Sequence, residues 1–258
     1  MTKRIFALVF VAMSFLDLAW CQTKLTVCTW NVGKFGEGEM SGYQGDNPQE
    51  KVKEWKAWLK SHRVDILGLN EWWEWFDKGK TINSEEELIA PLYANRYIAN
   101  PIKSPWITNG LATNYKVKPG SQTWINLVDP YYFALVETLI IDGHEVDVIS
   151  AHIPWRVQYH AASLEVLHKE LKRHKTFIFL GDTNSTHMEQ SAFYVKDGYN
   201  MANPFKGRWL PTYADGSAID NVITSPNIKI TKVWSSPSGL YKGDHNPFFA
   251  KLVINWDK

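Results

Sequence analysis

The chain has 258 residues, 45% of them hydrophobic and 21% charged, with a formal net charge of +1. These proportions describe an ordinary globular protein with a substantial core in one large or two small domains, and they exclude a repeat array, a coiled coil or a low-complexity chain. The near balance of charge excludes the broad basic surface of a general nucleic-acid binder, although it leaves room for a local patch.

The first 21 residues differ from the rest. Lys3 and Arg4 open the chain, an apolar run follows from Ile5 to Leu16, and the segment closes on LAWC. This is the three-part pattern of a secretory signal peptide, and its apolar run is too short to span a bilayer comfortably. The expected organisation is a signal peptide over 1–21 and one exported, monomeric domain over 22–258, with no transmembrane segment after the signal. An alternative reads LAWC as a degenerate lipoprotein box with Cys21 lipidated, against which stands the bulky Trp20. Either way the mature chain keeps Cys28 alone, so it forms no internal disulfide and relies on its core. Removal of 1–21 leaves 26 basic and 26 acidic residues.

Beyond the signal, β-branched and aromatic runs bounded by turn residues predict strands over 25–32, 64–71, 110–115, 131–141, 145–153, 176–184, 218–225 and 228–234, and a closing strand after Pro247. Asp142-Gly143, between two of these runs, predicts a tight hairpin. Helical spacing over 48–62 puts Val52, Trp55, Trp58 and Leu59 on one side, with Asn47-Pro48 as cap and first turn. Over 157–173 the same spacing aligns Val157, Ala161, Leu164, Leu167 and Leu171. A strand-helix-strand opening followed by hairpins implies a mixed sheet system in one domain.

The strand ends carry the polar residues. Asn31 ends the first strand and Glu71 the second; His152 ends a later one; Asp182 and Asn184 sit in GDTN; Asp220 stands in IDNVI; Asp244-His245 precedes the closing strand. Each alone reads equally well as a turn, a cap or a solvated strand end. Together they are the kind of set that a rigid sheet mounts at its edge for catalysis.

The ordered motifs TWNV, DILGLNEW, SAHIP, GDTN, IDNVI and GDHNPF, spread from Leu25 to Val253, resemble those of the endonuclease/exonuclease/phosphatase superfamily of metal-dependent phosphoesterases. The resemblance implies an α/β four-layer sandwich, with two mixed, mostly antiparallel sheets face to face and helices outside. It implies hydrolysis of a phosphoester, most readily a phosphodiester, with Mg²⁺ (or Mn²⁺) held by Glu71 with Asn31 beside it and Asp244 as a second contact. It makes His245 the general base, Asp220 its orienting partner, Asp182 and Asn184 the residues that position water or phosphoryl oxygens, and His152 a phosphate or leaving-group contact. These residue types suit phosphoester hydrolysis, since oxygen donors bind Mg²⁺ and an imidazole beside a carboxylate moves protons near neutral pH. Gly243 stands where many members have Ser, and GLATNY lacks the usual Ser-Arg or Ser-Lys. His152 in place of a tyrosine leans toward the branches resembling DNase I, sphingomyelinases and inositol-phosphate phosphatases.

The substrate is left open between nucleic acid and a phospholipid or small organophosphate. Trp72, Trp73 and Trp75 directly follow Glu71 and are read either as core packing or as a rim that stacks on a base or sugar or dips into lipid. Trp106 and Trp155 extend that rim, and Arg156 is a candidate phosphate clamp. A catalytically silent binding module is the non-enzyme alternative, disfavoured by the intact polar set.

Overall fold

The computed structural model describes residues 22–36, 41–105, 107–240 and 243–256, so the expected signal peptide, Cys21 and Trp106 lie outside the described residues. In chain order the strands are β1 (Gln22–Asn31), β2 (Ile66–Asn70), β3 (Asn95–Ala99), β4 (Asn109–Thr113), β5 (Lys116–Val117), β6 (Thr123–Asn126) and β7 (Phe133–Ile141). They continue as β8 (His144–His152), β9 (Phe177–Asp182), β10 (Asn200–Met201), β11 (Asp220–Thr224), β12 (Ile228–Ser235) and β13 (Phe248–Asn255). Three α-helices accompany them among the described residues: α1 (Pro48–Ser61), α2 (Val157–Leu171) and α3 (His187–Tyr194).

The strands form a six-stranded sheet in the order β12-β13-β1-β2-β4-β3, and a seven-stranded sheet in the order β10-β11-β9-β8-β7-β5 with β6 added on β7. Among the described strands only the pairs β1–β2 and β8–β9 are parallel, and each is joined through a helix, α1 or α2, the usual form of a parallel crossover. At the far end of the sandwich β1 opens against the close of β13, Gln22 opposite Asn255. The Asp142-Gly143 hairpin forms as expected, both residues taking positive φ (49° and 83°), which closes a two-residue turn between Ile141 and His144.

Side-chain alternation sorts the layers. In β1, Leu25 and Val27 enter the core between the sheets, while Cys28 and Trp30 join the outer cluster beneath α1 with Val52, Trp55 and Leu59. The helix thus buries three of its four expected residues fully, and Trp58 packs at their margin. Asn47 precedes the helix in the left-handed region and makes no side-chain cap, so of the expected pair only Pro48 plays its part, in the first turn. In α2 the buried stripe runs through His160, Ser163, Leu164, Leu167 and Leu171, so the expected face holds at its three leucines, while Val157 and Ala161 face out and His160 and Ser163 take the buried places in the first half of the helix. The sheets approach closely at Gly68, where a Cβ would fall 2.6 Å from Leu180 Cβ. No helix among the described residues is long and apolar enough to cross a membrane.

Candidate active site

The same alternation that fills the core determines which polar residues look inward. Asn31 shares the inner face of β1 with Leu25 and Val27, and Asn70 shares the inner face of β2 with Gly68. Across the gap Leu180 is inward, so Asp182 two residues on is too; register then brings in Asp220, opposite Asp182, and His152, opposite it on the other side. Five polar side chains are thereby gathered where the two parallel strand pairs end.

Asp182 is the hub. Its Oδ2 accepts from Asn31 Nδ2 at 3.1 Å and lies 3.4 Å from His152 Nε2 and 3.5 Å from His245 Nε2. Its Oδ1 accepts the Asn184 N–H at 2.9 Å, and its own N–H donates to Asn70 Oδ1 at 3.0 Å. One residue therefore fastens the two sheets to each other directly under the site. Asn70 donates in turn to Asn109 Oδ1 at 2.9 Å, and Asn109 to the Phe133 carbonyl at 2.8 Å, a buried amide chain crossing the sandwich.

Glu71 leaves the end of β2 with φ 51°, a backbone region that a non-glycine residue occupies at a cost and that functional positions often hold. Its Oε1 accepts from Asn31 Nδ2 at 3.1 Å and stands 3.6 Å from His152 Nδ1. Asn31 Oδ1 accepts the Gly33 N–H at 3.0 Å, which fixes the amide with its nitrogen toward the carboxylates. Asn31 thus ties Glu71 to Asp182 and stands beside Glu71 as expected, with its amide nitrogen rather than its oxygen toward the carboxylates. Asn184 donates from Nδ2 to the Ile153 carbonyl at 2.9 Å, and the same nitrogen lies 2.9 Å from His152 Nε2. An amide nitrogen can only donate, so His152 accepts at Nε2 and carries its proton on Nδ1, toward Glu71.

His245 Nδ1 lies 2.9 Å from Asp220 Oδ2, both residues buried, while Thr212 Oγ1 accepts the Asp220 N–H at 3.0 Å. Burial disfavours the His245 imidazolium, but the charges of Asp220, Asp182 and Asp244 outweigh it and push the pKa up to about 10. Burial raises the Asp220 carboxyl above its ordinary range, a rise that His245 opposes. Asp244 is exposed at the lip, where its charge, after burial, helps to hold the Tyr213 phenol up.

These groups line a cleft of about 750 Å³. Among the described residues, Glu71, Asp182, Asp215 and Asp244 face it against Lys34, Arg156 and the His245 imidazolium. Arg156 Nη1 is 3.5 Å from Oδ2 of the fully buried Asp129, and Trp155 beside it is 65% exposed. Among the described residues Asp182, Asp220 and His245 form the group whose donor atoms come within 4.8 Å of one another and could hold a cation. Since Asp220 and His245 already bond to each other, Asp182 and Glu71 are the carboxylates left to face one. The all-oxygen character of that pair, with no cysteine at the cleft, fits a hard divalent ion.

The sequence model of the Endonuclease/Exonuclease/phosphatase family matches residues 28–245. The chain belongs to this family. Solved structures agree in fold. An endonuclease/exonuclease/phosphatase from Beutenbergia cavernae superposes with a TM-score of 0.69 at 17% identity, covering 90% of this chain and 72% of that one. The human Nocturnin catalytic domain with bound sulfate gives 0.68 at 17%, covering 89% and 93%. ANGEL2, a 2',3'-cyclic phosphatase in complex with adenosine-2',3'-vanadate, gives 0.70 at 13%, covering 92% and 97%. No curated protein sequence matches the chain.

Within this endonuclease/exonuclease/phosphatase fold, Asn31, Glu71, His152, Asp182, Asn184, Asp220 and His245 come together as one network, with Asp244 and Arg156 at its rim. The tryptophans do not join it. Trp72 is 2% exposed and packs edge-on against Phe35, which makes it core, while Trp73 and Trp75 line a different cleft. The aromatics of the site are instead Tyr132, Trp155 and Tyr213. Asn70, Asn109, Asp129 and Thr212 escaped the sequence reading. Asn70 carries a signal in hindsight, an amide at the inward phase of an otherwise apolar strand; the others show none.

Proposed function

We propose that the protein is an exported, monomeric, Mg²⁺-dependent phosphoesterase acting on phosphodiesters, with His245 as general base and Asp220 as the residue that orients it. The observation that carries this reading is the charge of the cleft: among the described residues four carboxylates face it against Lys34, Arg156 and the His245 imidazolium, a net negative lining, yet its ordered groups suit a phosphate. A phosphate ester entering alone meets net repulsion, which a bound cation reverses.

Glu71 and Asp182 are the residues that would hold that ion, with Asn31 joining once its amide turns and Asp244 available from the lip. When bound, a divalent cation supplies the positive charge that admits the phosphate and draws His245 back toward the range in which imidazole accepts a proton. The chain's own residues divide the remaining work. Asp220 holds His245 Nδ1, so that Nε2 faces the cleft and can take a proton from an attacking water. Asn184 and His152 bond each other in the cleft wall, beside where phosphoryl or leaving-group oxygens would lie, and Arg156, held by Asp129, is a clamp for a non-bridging oxygen. The 2',3'-cyclic phosphatase ANGEL2 and the sulfate in Nocturnin, both on this fold, support a phosphate-type ligand. Export is supported by the pattern of residues 1–21.

The test is hydrolysis by the mature chain of bis-p-nitrophenyl phosphate, p-nitrophenyl phosphate, plasmid DNA, RNA, sphingomyelin and phosphoinositides, with Mg²⁺, Mn²⁺ or chelator. Metal-dependent turnover of the diester above the monoester is expected. Preference for the monoester overturns the diester assignment. No turnover of any substrate by folded protein leaves the silent binding module in its place.

A further inference from the structure

The WWEWF segment is not explained by the site beside it. After Trp72 enters the core, residues 73–85 fold into a tightly tied loop. Asp77 accepts from the Thr81 and Ile82 N–H groups at 2.9 Å each and from Thr81 Oγ1 at 3.0 Å. Ser84 N donates to the Glu74 carbonyl at 2.9 Å, its hydroxyl donates to the Trp73 carbonyl, and Trp75 pairs with Asn83 across the loop. Such fastening presets the positions of the side chains it carries, which lowers the ordering cost of binding.

Those side chains, with the end of β3, enclose a second cleft of about 340 Å³, at the small end of the range for ligand sites. Trp73 and Trp75 are half-buried in its wall, and neither indole N–H has a hydrogen-bond partner among the described residues. Glu74 and Lys80 line the same cleft, both exposed and outside every ion pair among the described residues. Asn83 spends its Oδ1 on the Glu86 N–H and keeps its amino group free. Glu85, the remaining charge, is neutralised by Arg96 at 3.0 Å.

We propose that this cleft binds a neutral sugar ring. Flat indoles suit a ligand with an apolar face, and the carboxylate, ammonium and amide beside them suit one whose edge is crowded with hydroxyls. The described lining carries Glu74, Glu85 and Lys80, and with Arg96 counted beside Glu85 the charges balance, which gives no attraction for a phosphate backbone. An alkyl chain laid in this cleft would cover the unpaired polar groups of Glu74, Lys80 and Asn83 without offering them a partner. The inference does not depend on the phosphoesterase reading, because binding here requires no turnover at the first cleft.

The experiment titrates the full folded chain with methyl glycosides of glucose, galactose, mannose and N-acetylglucosamine, following tryptophan fluorescence and amide chemical shifts. Saturable binding of at least one glycoside is expected, with shifts centred on 73–85. Trp75→Ala should weaken it at least tenfold, and Glu74→Gln, at an exposed position that does not bear on folding, severalfold. Trp155→Ala, on the rim of the other cleft, should leave it unchanged. Binding that survives both Trp75→Ala and Glu74→Gln, or no saturable binding of any glycoside, overturns the proposal. Saturable binding of adenosine without any glycoside overturns it in favour of a base-stacking site.

Discussion

Replacing Asn70 with Ala tests the buried amide chain that joins the sheets. Asn70 is fully buried; it accepts the Asp182 N–H at 3.0 Å and donates to Asn109 Oδ1 at 2.9 Å. Alanine supplies neither bond, so the Asp182 N–H and the Asn109 oxygen are both stranded in the core. A stranded buried group costs about 1–3 kcal/mol, which puts the loss at about 2–6 kcal/mol. Against a total stability of about 5–15 kcal/mol that is a large fraction. The urea midpoint should fall accordingly with the slope m unchanged, since the same surface is still exposed on unfolding. Asn109→Ala should cost a similar amount by stranding the Phe133 carbonyl and the Asn70 amino group. The double variant should cost less than the sum, by a coupling of about 0.5–3 kcal/mol. A loss under about 1 kcal/mol for Asn70→Ala, or strict additivity of the pair, refutes the chain as a structural tie.

The remaining predictions concern the cleft and one distant clasp. His245→Ala should lower kcat by about 10²–10⁴-fold, and Asp220→Asn should reproduce most of that loss in folded protein; near wild-type kcat in either removes the dyad from the mechanism. Glu71→Gln should raise the Mg²⁺ concentration for half-maximal activity while leaving the unfolding midpoint in chelator unchanged; an unshifted metal requirement excludes Glu71 as a ligand. His174 bonds Asp147 at 2.8 Å, and that bond raises the His174 pKa; Asp147 is lowered, its burial opposing the change and the bonds from His174 and Thr138 producing it. The histidine's contribution is complete below its unfolded pKa of about 6.5 and fades as pH rises through the raised folded value; the aspartate's is complete above about 3.9 and fades as pH falls through the lowered one. The Tm deficit of His174→Gln should therefore be largest between the two unfolded values, near about pH 5–6, and shrink as pH rises above about 6.5 through the raised folded value, whereas a deficit constant with pH contradicts the clasp.

The strands that proved readable are those with long apolar runs or a turn signal, β1, β7, β8, β9 and β13 among them. Four pieces were not: β3 is half-exposed along its whole length, β5 and β10 are two residues each, and β6 alternates little, so pattern had nothing to grip, whereas the edge strand β12 has a β-branched run and was read. The site was legible because its residues end strong strands, and strand phase turns sequence spacing into a shared face. What spacing cannot convey is how an amide is turned. Asn31 and Asn184 look alike as strand-end amides, yet Gly33 and the Ile153 carbonyl point their nitrogens in directions that only the fold defines. The tryptophans failed for a related reason: three indoles in four residues cannot all face one way, and the loop sends Trp72 inward and its neighbours elsewhere.

The pairing of Gln22 with Asn255 has an engineering consequence. Strand β1 runs its ten residues from there to Asn31, which at about 3.3 Å per residue separates that pairing from the carboxylate network by about 30 Å. A fluorescent protein, an affinity handle or a bead coupled at Gln22 or Asn255 therefore sits at the opposite pole from Asp182. Immobilised through either residue, every molecule would present its cleft outward, in one orientation and unshaded by the support.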